Sequence, residues 1–136
     1  MSKILVTGGL GFIGSTAIKM ILSKTHDEVL NIDKHSYASM PEALDLVESS
    51  SRYSFLKIDI GQYELTKKVI TDYVPDVILH LAAESHVDRS IEDPFSFAQT
   101  NVMGTLSLLQ AAKEYWKGNF TNKLFYHVST DEVYGS

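Results

Sequence analysis

Three stretches of this chain carry residue types able to do chemistry. Ser129-Thr130-Asp131-Glu132-Val133-Tyr134-Gly135 sets two hydroxyls beside two adjacent carboxylates. Repulsion and burial push the pKa values of neighbouring carboxyls apart, so one can serve as acid while the other serves as base. A solvated Asp-Glu turn is the plainer alternative, and residue types alone leave both open. Glu84-Ser85-His86-Val87-Asp88-Arg89-Ser90 is a second polar cluster, readable as the wall of a crevice or as a loop with a salt bridge from Asp88 to Arg89 or a neighbour. The third stretch runs Ile4-Leu5-Val6-Thr7-Gly8-Gly9-Leu10-Gly11-Phe12-Ile13-Gly14, an apolar strand that passes through spaced glycines into a helix. Residues without Cβ let such a turn approach a pyrophosphate, and the helix N-terminus offers unpaired N–H groups and partial positive charge. Gly9, Gly11 and Gly14 satisfy Gly-x-Gly-x-x-Gly, while Gly8, Gly11 and Gly14 satisfy Gly-x-x-Gly-x-x-Gly.

These groups need a scaffold, and the chain alternates strand and helix patterns throughout. After the first strand comes an amphipathic helix with Ile13, Ala17, Ile18, Ile21 and Leu22 on one side, then a second strand, Val29-Leu30-Asn31-Ile32, ending in Asp33. An acid about 20 residues past the glycines is where a ribose-binding carboxylate belongs. Together the glycines, the following helix and Asp33 favour dinucleotide binding over a structural glycine turn. Residues 41–48 read as a short helix, residues 53–58 as a strand ending at Asp59-Ile60, and residues 63–73 as a helix carrying Leu65, Val69, Ile70 and Tyr73 and closed by Pro75. Val77-Ile78-Leu79-His80-Leu81 has the continuous apolar character of a strand buried on both faces. Asp93-Pro94 starts the longest helix, with Ala98, Val102, Leu106, Leu109 and Ala112 as its apolar face, and Leu124 to Val128 is a fifth strand.

This alternation dictates parallel pairing through right-handed crossovers, hence an α/β doubly wound, Rossmann-type sheet with strand order 3-2-1-4-5. Ligands in such sheets lie outside the carboxyl ends of the strands. The ends to inspect are therefore Thr7-Gly8, Asp33, Asp59-Ile60, Leu81-Ala82-Ala83 and Ser129 to Glu132. Asp33 can accept from both ribose hydroxyls and would repel a 2′-phosphate, which favours NAD over NADP. Asp59 is either a partner for the adenine amino group or a turn residue. Ala82 and Ala83 either let the cofactor pass closely or simply pack well. His80 and His127, within apolar strands, read as satisfied core histidines rather than ligands.

Composition narrows the partners. The 136 residues fit one domain able to bury a core, and 44% hydrophobic with 21% charged residues is a globular balance. A net charge of −5 without basic clusters argues against nucleic acid. No run of about 18 apolar residues suggests a membrane span, and a first strand entered directly after Met1-Ser2 makes a cytoplasmic location the expectation. The chain contains no cysteine, which excludes disulfides, thiolate metal sites and a cysteine nucleophile, and no metal site is expected.

Thr7 to Gly14, Leu81 to Asp88, Thr100-Asn101-Val102-Met103-Gly104-Thr105 and Ser129 to Gly135 together resemble the extended short-chain dehydrogenase/reductase family, over the whole chain. Within it the match is to the nucleotide-sugar 4,6-dehydratases, and Thr130-Asp131-Glu132 is its most specific element, because epimerases and decarboxylases of the superfamily carry other residues there. The resemblance implies NAD as cofactor, held by Phe12, Ile13, Asp33, Lys34, His35, Ser36, Asp59, Ile60, Leu81, Ala82, Ala83, Glu84, Ser85 and Thr100, besides the glycines. It implies a nucleotide-sugar substrate touched by Ser85 and Thr130, catalysis by Thr130, Asp131 and Glu132, and a homodimer at full length. Oxidation at C4, loss of water across C5 and C6 and reduction at C6 would follow. The other readings are a non-catalytic NAD-binding module or another NAD-dependent nucleotide-sugar epimerase or dehydratase. Two departures stand out. Ser39-Met40 follows Tyr37-Ala38 where the family continues Gly-Asn. The family's oxidising Tyr-x-x-x-Lys pair sits on a helix beyond the fifth strand, which these residues do not reach. Tyr53 with Lys57 and Tyr63 with Lys67 have the spacing on the wrong elements. The expectation is thus the N-terminal, cofactor-binding portion of a longer enzyme, inactive alone, with Phe125 and Val128 on an exposed sheet edge prone to self-association.

Overall fold

The computed structural model describes residues 1–36 and 39–135. Strands β1 (Lys3–Thr7), β2 (Glu28–Asp33), β3 (Tyr53–Lys57), β4 (Val77–His80) and β5 (Leu124–His127) form one sheet in the order β3-β2-β1-β4-β5. Every pairing is parallel, with Thr7 opposite Ile32 on one side and His80 on the other. The expected strand order is the observed one. Its cause is visible in the strand sequences: β1 and β2 are apolar on both faces, so both must be covered by helices. Ile4, Val6 and Val29 pack with Ile18 and Leu22 of α1 (Phe12–Lys24). Leu5, Leu30, Ile32 and Ile78 pack on the opposite face with Val69 and Ile70 of α2 (Tyr63–Tyr73) and with Leu108, Ala111, Ala112 and Trp116.

Between β4 and β5 the chain forms α3 (Val87–Glu92), then one helical run made of α4 (Pro94–Phe97), a π-helical stretch (Ala98–Met103) and α5 (Gly104–Trp116). Asp93 caps the run through Ser96 N, with Pro94 in the first turn as expected. The Trp116 indole donates to Pro75 O at 3.1 Å, which ties the helix end to the turn before β4.

Several sequence expectations change here. The buried face of the long helix is Thr100, Gly104, Ser107, Leu108, Ala111 and Ala112, while Val102, Leu106 and Leu109 are exposed. The packing face of α5 is made largely of small residues, Gly104, Ser107, Ala111 and Ala112, so the spacing of the large apolar residues alone marks the wrong side. Ile13 on α1 and Leu65 on α2 are also exposed. Residues 41–48 contain only a 3₁₀ turn, Pro41–Leu44, anchored by buried Leu44. His127 is exposed, not core, although its ring stacks on His80 at 5.0 Å. Phe125 is half-buried against the α2/α5 core, whereas Val128 is exposed. No helix among the described residues is long and apolar enough to cross a membrane.

Buried His80 generates a pH prediction. Desolvation, aided by the nearby His127, pushes its pKa from 6.5 down to about 4. The unfolded chain therefore takes up a proton below pH 6.5 that the folded chain refuses until about pH 4. The stabilisation is complete above that window, declines as pH falls through it and is lost at its lower end. Its size is on the order of 3 kcal/mol. Urea unfolding across the window should show the decline, and His80→Gln should flatten it.

Candidate functional site

The carboxyl ends of β1, β2, β3 and β4 flank a narrow crevice with a cavity volume of about 90 Å³. Gly8, Gly11, Asp33, Lys34, Ser36, Asp59, Ile60, Leu81, Ala82, Ala83 and Thr100, all singled out from sequence, line it. Ile32, Ser39 and Ile58 line it as well. Ile32 and Ile58 are the apolar neighbours of the two strand-end acids, and adjacency to Asp33 and Asp59 was the signal available for them. Phe12, Ile13, Gly14, His35, Glu84 and Ser85 are not among the lining residues. Phe12 and Ile13 instead open α1 with exposed side chains, and no side chain caps that helix, so its first N–H groups are the unsatisfied donors of the turn. His35 takes a left-handed backbone (φ 59°) that turns the chain after Asp33.

The glycine turn is shaped by contact. Gly8 has φ +73°, and a Cβ on it would lie 2.7 Å from Ala82 N. A Cβ on Gly14 would stand 2.2 Å from Gly8 O, so this glycine seats the helix against the turn rather than facing a ligand. A Cβ on Gly11 would meet only Gly8 O, at 3.3 Å. Backbone contacts thus close the space at Gly8 and Gly14, and a Cβ on Gly9 would stand 2.2 Å from Asn31 Oδ1, so both glycine spacings meet close contacts in this turn. Gly9 has another duty: its N–H donates to Oδ1 of fully buried Asn31, whose Nδ2 reaches Tyr53 Oη at 3.2 Å. Sequence reading took Asn31 only as a strand residue. A polar residue inside an apolar strand was the signal, since buried amides require partners.

Asp33 is buried and held rigidly. Its Oδ2 accepts from Leu10 N at 3.0 Å and its Oδ1 from His35 N at 2.7 Å, leaving lone pairs for a diol. Asp59 Oδ1 accepts from Gly61 N at 2.9 Å, so the turn role holds, and the residue also lines the crevice. Lys34 Nζ contacts Glu84 Oε1 at 2.5 Å and Thr100 Oγ1 at 3.1 Å. The Glu84 side chain is 8% exposed, and its backbone is clamped by Asn101, which accepts from Glu84 N at 2.8 Å and donates to Glu84 O at 2.9 Å. Thr100 and Asn101 both belong to the π-helical stretch, which is how one helix presents neighbouring residues to the crevice and to the loop after β4. At the Ser39-Met40 departure, Ser39 N donates to Ser36 O and Met40 N donates to Leu10 O beside the glycine turn. Tyr37 and Ala38 lie outside the described residues.

Thr130, Asp131 and Glu132 follow β5 and stand at the far side of β4 from Asp33, with Asp131–Tyr134 in a 3₁₀ turn. All three are exposed. The Thr130 hydroxyl, the residue's own backbone and Asp131 hold the Glu132 carboxyl below the usual carboxylate range. Ser85, also exposed, follows β4, so the two polar clusters share one edge of the sheet. Neither Tyr/Lys decoy is poised as a base. Tyr63 donates to Glu114 Oε1 at 2.8 Å, an acceptor that raises its pKa, and Lys67 pairs with the same carboxylate at 2.9 Å. Tyr53 and Lys57 lie along β3.

Fold and site define a Rossmann-type domain of the extended short-chain dehydrogenase/reductase class. Residues 5–136 match the family model described as GDP-mannose 4,6 dehydratase, and the chain belongs to that family. It is 50% identical over 139 residues to the dTDP-glucose 4,6-dehydratase of Haemophilus influenzae, covering 99% of this chain and 41% of that protein. To dTDP-glucose 4,6-dehydratase 1 of Escherichia coli K12 it is 48% identical, covering 98% and 38%. Among solved structures, dTDP-glucose 4,6-dehydratase DesIV of Streptomyces venezuelae, with NAD bound, superposes with a TM-score of 0.86 at 41% identity, over 98% of this chain and 41% of that one. The chain spans about two fifths of the length of the curated relatives it matches.

The glycine contacts predict opposite outcomes at two positions. Gly14→Ala should lower the unfolding free energy by roughly 1–3 kcal/mol, because Gly8 O is backbone and must shift. Gly11→Ala, with only the 3.3 Å contact, should melt close to the unaltered chain. Thermal unfolding of both variants checks this.

Proposed function

We propose that these residues are the NAD-binding part of a dTDP-glucose 4,6-dehydratase. The observation that carries the reading is the placement of Thr130-Asp131-Glu132 at the carboxyl end of β5, on the same sheet edge as a crevice built from a bare glycine turn and a fixed acid, Asp33. The crevice suits a dinucleotide. Unsatisfied N–H groups at the start of α1 face where a pyrophosphate would lie, Asp33 offers acceptors to a ribose diol, Asp59 can take an adenine amino group, and Ile60 and Thr100 form the wall. Bound there, NAD would supply reversible hydride acceptance. The Lys34 charge is taken up by Glu84, so Asp33 and Asp59 leave the crevice negative, which supports NAD over NADP.

Elimination of water needs a base for the C5 proton, acidified by a C4 ketone, and an acid for the departing C6 hydroxyl. Glu132 is assigned as base and Asp131 as acid. Thr130 would hydrogen-bond the C4 oxygen, a positioning role. The depressed Glu132 pKa supports an ionised base. Ser85 would touch the substrate from the β4 side. The full-length protein is proposed as a homodimer, supported by exposed Val102, Leu106 and Leu109 along the long helix.

Calorimetric titration tests the cofactor half. NAD should bind more tightly than NADP by on the order of 1–3 kcal/mol, and Asp33→Gly should narrow the gap. Equal affinities in the unaltered chain would overturn the assignment. The 136 residues alone should give no 4-keto sugar from dTDP-glucose, since no Tyr-Lys pair among the described residues is poised for it. In the full-length enzyme, Glu132→Gln should preserve transient NADH while abolishing solvent deuterium exchange at C5, and Asp131→Asn should slow product formation by about 10²–10⁴-fold. Normal C5 exchange in Glu132→Gln would move the base elsewhere, with His86 next in line.

A further inference from the structure

His80 ends β4, is 1% exposed and is bonded at both ring nitrogens. Nδ1 lies 2.7 Å from Thr7 Oγ1, and Nε2 lies 2.8 Å from Thr105 Oγ1. The lone pairs leave one assignment of protons. Thr7 Oγ1 already accepts from Leu81 N at 3.2 Å and from Ala82 N at 3.1 Å, which uses both its lone pairs, so its own proton must go to Nδ1. Thr105 Oγ1 donates to Asn101 O at 2.7 Å, so it accepts from Nε2–H. His80 is therefore the neutral Nε2–H tautomer, and every bond in the chain from Thr7 to Asn101 points the same way. Burial, with the His127 ring adding to it, keeps the imidazole uncharged at neutral pH.

The two ends of this chain are the two halves of the crevice. At one end Thr7 leads into the glycine turn and clasps the amides of Leu81 and Ala82, the residues against which Gly8 is pressed. At the other end Asn101 belongs to the π-helical stretch beside Thr100, and its side chain grips both backbone groups of Glu84. We propose that His80 is a positioning residue of the cofactor crevice, whose Nε2–H tautomer sets the spacing between the glycine turn and the Thr100 wall and thereby sets dinucleotide affinity. The inference rests on the dinucleotide reading above. His80 touches no ligand; it acts through Thr7 and Asn101, and its partner Thr105 does not line the crevice. Loss of the Thr105 hydroxyl would leave Nε2–H without its acceptor inside the fold, and the wall would no longer be tied to the turn.

The test uses the full chain, with NAD as probe. ¹⁵N-histidine NMR of the unaltered protein at neutral pH should show His80 with a protonated Nε2 and a bare Nδ1. Calorimetry on Thr105→Val should show NAD bound about tenfold more weakly, the loss of one hydrogen bond's worth of positioning. Thr105→Ser, which keeps the hydroxyl, should restore the affinity. A purely structural hydroxyl would lower the melting temperature of Thr105→Val and leave the NAD affinity of the folded protein unchanged; that result overturns the proposal, as does a spectrum showing Nδ1–H or an imidazolium. If Thr105→Val does not fold, the tautomer in the unaltered chain still decides. Absence of NAD binding by the unaltered chain would overturn the dinucleotide reading and this inference with it, whereas normal binding with an indifferent Thr105→Val overturns this inference alone.

Discussion

The approach of the glycine turn to the exit of β4 is the constraint on which the rest of this site depends. At position 8 the chain turns with positive φ so close to Ala82 that a methyl group would sit within 3 Å of backbone nitrogen and carbon. That proximity lets β1 and β4 end at the same level, with Thr7 opposite His80, and leaves the start of α1 open at the switch point of the sheet. Side chains cannot give way here as they do in an ordinary core, because the atoms in contact are backbone. The turn is fastened to the end of β2 by three consecutive amides: Gly8 N to Ile32 O, Gly9 N to Asn31 Oδ1, and Leu10 N to Asp33 Oδ2.

Electrostatics divides the site along the sheet edge. On the β2–β3 side, Asp33 is pinned by two backbone amides, and Lys34 is taken up by Glu84, whose backbone is clamped by Asn101. Pinned groups lose little entropy when a ligand arrives, so this half is preorganised for binding. On the β5 side, Thr130, Asp131 and Glu132 stand in a short exposed turn, and only local hydrogen bonds lower the Glu132 pKa. The assigned division of proton-transfer work between Asp131 and Glu132 requires their environments to diverge further, which burial by substrate and surrounding protein would provide.

The π-helical stretch joins these halves. Thr100 from this stretch lines the crevice and Asn101 grips Glu84, while Thr105 in the first turn of α5 reaches His80 and small Gly104 lies where Ile60 packs closely. Val102 and Leu106 lie on the outer face of the run and are more than half exposed, as are Ile91 and Phe95 before it.

Much of this was legible in the amino-acid order. Apolar strands alternating with helical patterns determined the doubly wound sheet and its strand order, since faces that are apolar on both sides leave few topologies. The glycine spacing and an acid after β2 located the crevice, and most of its lining residues, because strand ends are sequence-local features. Tertiary structure decided what depends on groups distant in the chain. It closed the turn around both Gly8 and Gly9, exposed Phe12 and Ile13, turned Glu84 inward to Lys34, made Asn31 and Asn101 supports of the site and joined Thr105 to His80. It also separated His80 from His127, which share an apolar-strand setting in sequence, because β4 lies inside the sheet while β5 has only β4 beside it among the described residues. Periodicity reports which face of an element is apolar; a hydrogen bond between residues 7 and 80, or 34 and 84, exists only once the sheet has brought them side by side.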